Sequence, residues 1–198
     1  MHVKLLAAAA SALALSACFG GAAVPDHLLT LSAAETRPAA SPRSAGQGEA
    51  ITVAVPAVPQ ALRTTRVPVY VSDTSIQYLQ DATWVEQPGA LFARLLGETI
   101  AARTGRVVLD PAQYSHDPGI RLTGALVRFG LDPNAMEVVI TYDAVMARGA
   151  AGGITNNRFE ARVAVAEATP AAVAPALNDA ANQLAVQVAA WVGQGSTP

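Results

Sequence analysis

The residues of this chain best able to do chemistry are few and poorly spaced for it. Ser115-His116-Asp117 brings together the residue types of a hydrolase triad. Three consecutive residues cannot pass a proton along the required relay, because side chains adjacent on a backbone point apart. Pro118-Gly119 follows at once and marks a turn. The histidines are His2, His27 and His116, and none stands at metal-ligand spacing from a cysteine or another histidine. Gly149-Ala150-Ala151-Gly152-Gly153 lacks the Gly-Lys-Ser/Thr ending of a phosphate-binding loop and precedes a strand-like stretch. Asp132 and Glu137 flank a loop and read as solvated turn residues. The chain is therefore expected to be no enzyme, to bind no metal, and to carry no cofactor beyond acyl chains on its one cysteine.

That cysteine, Cys18, lies close behind the start of the sequence. Lys4 supplies a positive charge, Leu5 to Leu15 is an apolar run, and small residues follow, as in a secretory signal peptide. The run is about half of what a membrane-spanning helix needs. Leu15-Ser16-Ala17-Cys18 matches the bacterial lipobox, which implies a lipidated thiol and cleavage just before Cys18. Two or more acyl chains make such an anchor stable. Phe19, where an Asp would suggest retention at the inner membrane, favours the periplasmic side of the outer membrane. Residues 1–17 are thus read as a lipoprotein signal peptide. A single Cys forms no internal disulfide, so packing alone must hold an exported fold. Lys4 is the sole lysine, and the chain from Cys18 onward keeps 12 arginines against 15 acidic residues, a formal charge of −3. Scattered arginines on an acidic chain exclude a nucleic-acid partner.

Residues 18–50 are expected to hold the lipidated start, a short strand at His27–Leu31 and a flexible linker rich in Ala, Ser, Pro and Gly. About 32 residues between Cys18 and Ile51 would span on the order of 30 Å on average. A single domain is expected over 51–198. Alternation predicts strands at Ile51–Val55, Arg66–Val71 and Ser75–Leu79, the last two a hairpin around Ser72-Asp73-Thr74. Pro88 opens a helix that runs to about Arg103 and stops at Gly105. Arg106–Asp110 reads as a short strand. Ile120–Phe129, Glu137–Arg148 and Arg158–Val165 read as longer ones, the first with imperfect alternation. Thr169-Pro170 starts a last helix with an apolar stripe of Leu177, Ala181, Leu184, Val188 and Trp191; a start at Pro175 would shorten it. The expected fold is α+β, a mostly antiparallel sheet with two helices packed on one face.

Two features exceed what a plain fold requires. Trp84, just before the first helix, reads either as a core anchor or as an exposed aromatic at a partner surface. The loop from Val58 to Arg66 carries Arg63 and Arg66, read either as a polar crossover or as a partner contact. In order, these pieces resemble the ABC-type transport auxiliary lipoproteins of the PqiC-like kind. The resemblance rests on His27–Leu31, Val53–Val55, the Val58-Pro59-Gln60-Ala61-Leu62-Arg63 loop, Ile76-Gln77-Tyr78, and Trp84-Val85-Glu86-Gln87-Pro88 before a helix. Departures are Arg63-Thr64 in place of an Asp-Arg pair, and His27-Leu28 in place of paired aromatics. The resemblance implies a non-enzymatic accessory of an ABC transporter that works with an MCE-domain protein to move phospholipids between membranes. A ring-like homo-oligomer is a further expectation, from the family and the apolar stripe of the last helix. Other expectations stand beside it: a lipoprotein regulating cell-wall synthesis or outer-membrane assembly through protein contacts, and a secreted hydrolase using His116.

Overall fold

A computed structural model describes residues 27–36, 44–46, 48–109, 119–149 and 152–194. Cys18 and its lipobox, Ser115-His116-Asp117, and Ala150-Ala151 of the glycine-rich turn lie outside them. The strands are β1 (Ile51–Val53), β2 (Arg66–Ser72), β3 (Ser75–Thr83), β4 (Val108–Leu109), β5 (Ile120–Asp132), β6 (Glu137–Arg148) and β7 (Ile154–Ala164). Helix α1 is Pro88–Thr104 and α2 is Pro170–Gln194, with a 3-10 turn at Gln60–Leu62.

Local chemistry sets the helix ends. Pro88 needs no N–H donor at the first turn, and Gly105 takes the left-handed conformation (φ 71°) that ends α1. Helix α2 starts at Pro170 rather than Pro175, because Thr169 O accepts from Val173 N and closes the first turn upstream of the inner proline.

The seven strands form one sheet, and it is mixed rather than mostly antiparallel. Antiparallel pairs are β2–β3, the expected hairpin, β5–β6 and β6–β7. β1 pairs in parallel with both β4 and β5, and β2 lies parallel to β5. The reason is the crossover: α1 carries the chain back across the sheet before β4, so the next strands run in the direction of β1. Strand β5 is the spine. One edge pairs with β6 along its whole length, while the other takes β1 near its start and β2 near its end.

The helices pack on each other and on the sheet. Their buried residues form a single core with Ile120, Leu122, Leu126, Phe129 and Leu131 of β5 and Val138, Ile140, Tyr142, Ala144 and Met146 of β6. The apolar stripe of α2 is spent inside this core. Leu177, Ala181, Leu184 and Val188 are fully buried, and Trp191 meets Phe159 edge to face, with ring centroids 5.6 Å apart. The stripe therefore gives no ground for an oligomer. Inward residues of β5 change from even to odd numbers at a bulge at Val127, which explains the imperfect alternation. Gly124 lets β5 approach β6: a Cβ there would lie 2.1 Å from Asp143 O and 2.9 Å from the Tyr142 ring.

The fold begins well before Ile51. Leu29 bridges to Trp84 in parallel, with Leu29 N donating to Thr83 O and Val85 N to Leu29 O, both at 2.8 Å. Farther along, Asn178 and Asn182, one turn apart on α2, grip the same segment. Ser32 N donates to Asn178 Oδ1 (2.8 Å), Ala34 N to Asn182 Oδ1 (2.7 Å), and Asn182 Nδ2 to Ser32 O (2.9 Å). Arg103 of α1 then clasps the Glu35 carboxylate at 2.9 to 3.1 Å. Residues 29–35 are a strap bound to the domain, so the domain boundary at 51 is drawn too late.

Candidate functional site

The loop leaving β1 turns through the 3-10 turn, where Leu62 is fully buried and Arg63 and Arg66 stay exposed. Three bonds fix this loop to its surroundings. Trp84 N donates to Thr65 O (2.7 Å), Gln87 Nε2 to Arg63 O (3.1 Å), and the Tyr78 hydroxyl to Ala61 O (3.4 Å). Arg66 lies over the Tyr78 ring, 4.2 Å from its centroid, so its guanidinium is held by stacking while its N–H groups remain available. Together Gln60, Arg63, Thr64, Arg66, Ile76 and Tyr78 line an open cleft of about 370 Å³. Neither Arg63 nor Arg66 has a carboxylate partner among the described residues.

Strand β3 supplies one wall, and its shape depends on a second bulge. Arg66 pairs with Thr83 but Pro68 with Tyr78, so Leu79 to Ala82 loop out against Val67. Asp81 absorbs the strain at φ 54°. The inserted residues switch the facing of the strand. Ala82 and Trp84 enter the core, whereas Ile76 and Tyr78 stay on the face turned from the helices, and Ile76 is 46% exposed.

Trp84 is corrected here as a partner contact. It is 1% exposed and stacks edge to face on Phe129 at 5.7 Å, so its side chain is a core anchor, and only its backbone meets the arginine loop. Its indole N–H finds no acceptor among the described residues, at a cost of about 1–3 kcal/mol. The rest of its motif ties elements together: Val85 to the strap, Glu86 to Arg94 of α1, Gln87 to the arginine loop, and Pro88 to the helix start. Arg63 and Arg66 do come together in one cleft. Gln60 and Tyr78 were not singled out in the sequence for that cleft; the spacing of Ile76 and Tyr78 on a strand next to two arginines was the available signal.

Along the same face, Arg128 sits 4.4 Å from the Tyr70 ring centroid, and the Tyr70 hydroxyl accepts from Phe129 N at 3.0 Å beside the bulge of β5. Burial raises the Tyr70 pKa, opposed by that backbone bond and by the Arg128 charge. At the β6–β7 end, Arg158 binds Asp143 at 2.5 and 2.7 Å, and Arg162 binds Glu160 at 2.8 Å and Glu137 at 3.7 Å. Thr141 Oγ1 adds a bond to Glu160 at 3.1 Å. Hydrogen bonds from the arginines hold the Asp143 and Glu160 carboxyls below their ordinary pKa. Burial alone pushes the Tyr142 phenol far above its usual value. Asp132, read as a turn residue, is one: its Oδ1 accepts from Asn134 N (3.1 Å) and Ala135 N (3.3 Å).

No group of three or more His, Cys, Asp or Glu among the described residues could hold a metal ion. No described helix is long and apolar enough to cross a membrane.

A mixed α+β domain with a basic cleft and a sheet of largely paired surface charges has the character of a binding module. The chain belongs to the ABC-type transport auxiliary lipoprotein components, whose family model matches residues 29–189. The match starts at the strap, in agreement with the early start of the fold. The same fold occurs in the crystal structure of protein XCC0632 from Xanthomonas campestris. That likeness has a TM-score of 0.71 and 16% identity, over 85% of this chain and 95% of that one. An uncharacterized protein of known structure is similar at TM-score 0.59 and 14% identity, over 77% and 95% of the two chains. No curated protein matches. The family is one of auxiliary transport components and not a known enzyme family.

Proposed function

We propose that this protein is a non-enzymatic adaptor lipoprotein, anchored through acyl chains on Cys18 to the periplasmic side of the outer membrane. It serves an ABC transporter that works with an MCE-domain protein to carry phospholipids between the two membranes. The observation that carries the reading is the family match across 29–189, joined to the lipobox ahead of it. The basic cleft supports it as the place where Arg63 and Arg66 would meet a partner.

The test is fractionation and capture in the native host. The lipoprotein is expected to sediment with outer membranes and to co-purify, from detergent extracts, with an MCE-domain protein and the transporter. Cys18→Ala is expected to release it from the membrane and leave it unprocessed. Capture of a cell-wall synthase or a barrel-assembly protein in place of the MCE protein would overturn the reading.

A further inference from the structure

The cleft lies beside a free sheet edge. Strand β3 is the outermost strand on its side, and at its far end the strap already adds to that edge in parallel, through Leu29, Thr83 and Val85. The stretch from Ser75 to Tyr78 pairs only with β2 among the described residues. An edge of this kind accepts one more extended segment. A segment lying there would pass Ile76, an exposed apolar contact, and then Tyr78 with Arg66 stacked on it.

The charges say what that segment must carry. Arg94, Arg103, Arg128, Arg158 and Arg162 each have a carboxylate within 4 Å. Arg63, Arg66, Arg121 and Arg148 have none among the described residues. Of these, Arg63 and Arg66, three residues apart at the end of a pinned loop and the start of β2, are the two that line one cleft. Two unanswered guanidiniums converging on one cleft repel each other and are relieved by an anion, and the planar fork of arginine suits a carboxylate in two-point contact.

From this we infer that an extended segment of a partner protein adds along the Ser75–Tyr78 edge of β3, an apolar residue against Ile76 and a carboxylate between Arg63 and Arg66. The inference rests on reading this surface as the partner contact, and it gives that partner a chemistry. An anionic lipid headgroup would fill the arginine pair without using the edge.

The probe is a short peptide with a glutamate flanked two residues away on either side by branched apolar residues, so that all three share one face of the strand. It is labelled with a neutral dye and titrated against the full-length lipoprotein in non-ionic detergent. Binding is expected to weaken at least about tenfold when the glutamate becomes glutamine, and equally in Arg63→Gln/Arg66→Gln. N-methylation of alternate peptide amides is expected to abolish it, since a headgroup-like site would not register that change. Arg158→Gln is expected to leave it unchanged. The inference is overturned if the glutamate peptide fails to bind at millimolar concentration, or if the glutamine peptide binds as well. It is equally overturned if inorganic phosphate binds the arginine pair while N-methylation has no effect. An MCE protein that still co-purifies after such a result would leave the adaptor role standing and remove only the cleft.

Discussion

Arginines stand at both ends of the sheet face turned from the helices: at one end each has a close carboxylate, while at the other Arg128 has only Asp132 at 3.8 Å and Arg63 and Arg66 have none among the described residues. On β6 and β7, Asp143, Glu160 and Glu137 sit across from or beside Arg158 and Arg162, so that end is a closed ladder of opposite charges. Val139 lies fully buried on this outer face, opposite Arg162 and Gly130. On β2 and β3 the counterparts of the acids are Tyr70, Tyr78 and Ile76, and the guanidiniums stack on rings. The first arrangement satisfies itself, as an exposed surface should. The second leaves charge, an aromatic wall and a free edge together, which is what a partner would use.

The largest blow to this contrast should come from below. Trp84→Ala empties a core site beside the strand that walls the cleft and is expected to cost about 3–5 kcal/mol in denaturant unfolding, with loss of peptide binding, while Trp84→Phe keeps most of the stability. An alanine variant of full stability would show that Trp84 is not a core anchor. A smaller effect separates the two ends directly. Arg162→Glu places like charges beside Glu160 and Glu137 and is expected to cost about 1 kcal/mol. Arg63→Glu breaks no ion pair and should stay within about 0.5 kcal/mol of the parent. Equal losses in thermal melts would erase the distinction.

The smallest effect concerns acid. The Glu160 pKa is lowered, chiefly by its bond from Arg162, so its contribution is present above the unfolded carboxylate value and is lost as pH falls through the folded one. Melting temperature is therefore expected to decline as pH drops below about 4.5, and Glu160→Gln should flatten that slope. Exposure keeps the contribution well under about 1 kcal/mol. Arg63→Gln/Arg66→Gln should leave the slope as it is, because no lowered carboxyl adjoins the cleft.

Helix ends were legible because single residues write them: Pro88 and Gly105 for α1, Thr169-Pro170 for α2. The β2–β3 and β6–β7 pairings followed from alternation and turn residues, while β5–β6 was covered only by the general expectation of an antiparallel sheet. Parallel pairing of β1 was not legible, since alternation carries no direction. The bulges at Val127 and at Leu79–Ala82 were hidden for a related reason: an inserted residue turns inward positions outward, and a period-two reading then sees only noise. The start of the strap was legible as the short strand at His27–Leu31, but its continuation read as linker because backbone bonds to Asn178 and Asn182 hold it, and a backbone leaves no pattern in sequence. In the cleft, charge revealed Arg63 and Arg66. Trp84 was ambiguous because an amphipathic ring suits a core and an interface alike.

The strap also changes how far the domain can wander from its anchor. With acyl chains at Cys18, the leash is not the stretch to Ile51 but the ten residues to Leu28, which reach at most about 35 Å whatever shape they take. Cutting the tether about threefold shrinks the accessible half-sphere roughly thirtyfold and raises the local concentration of the cleft near the bilayer in proportion.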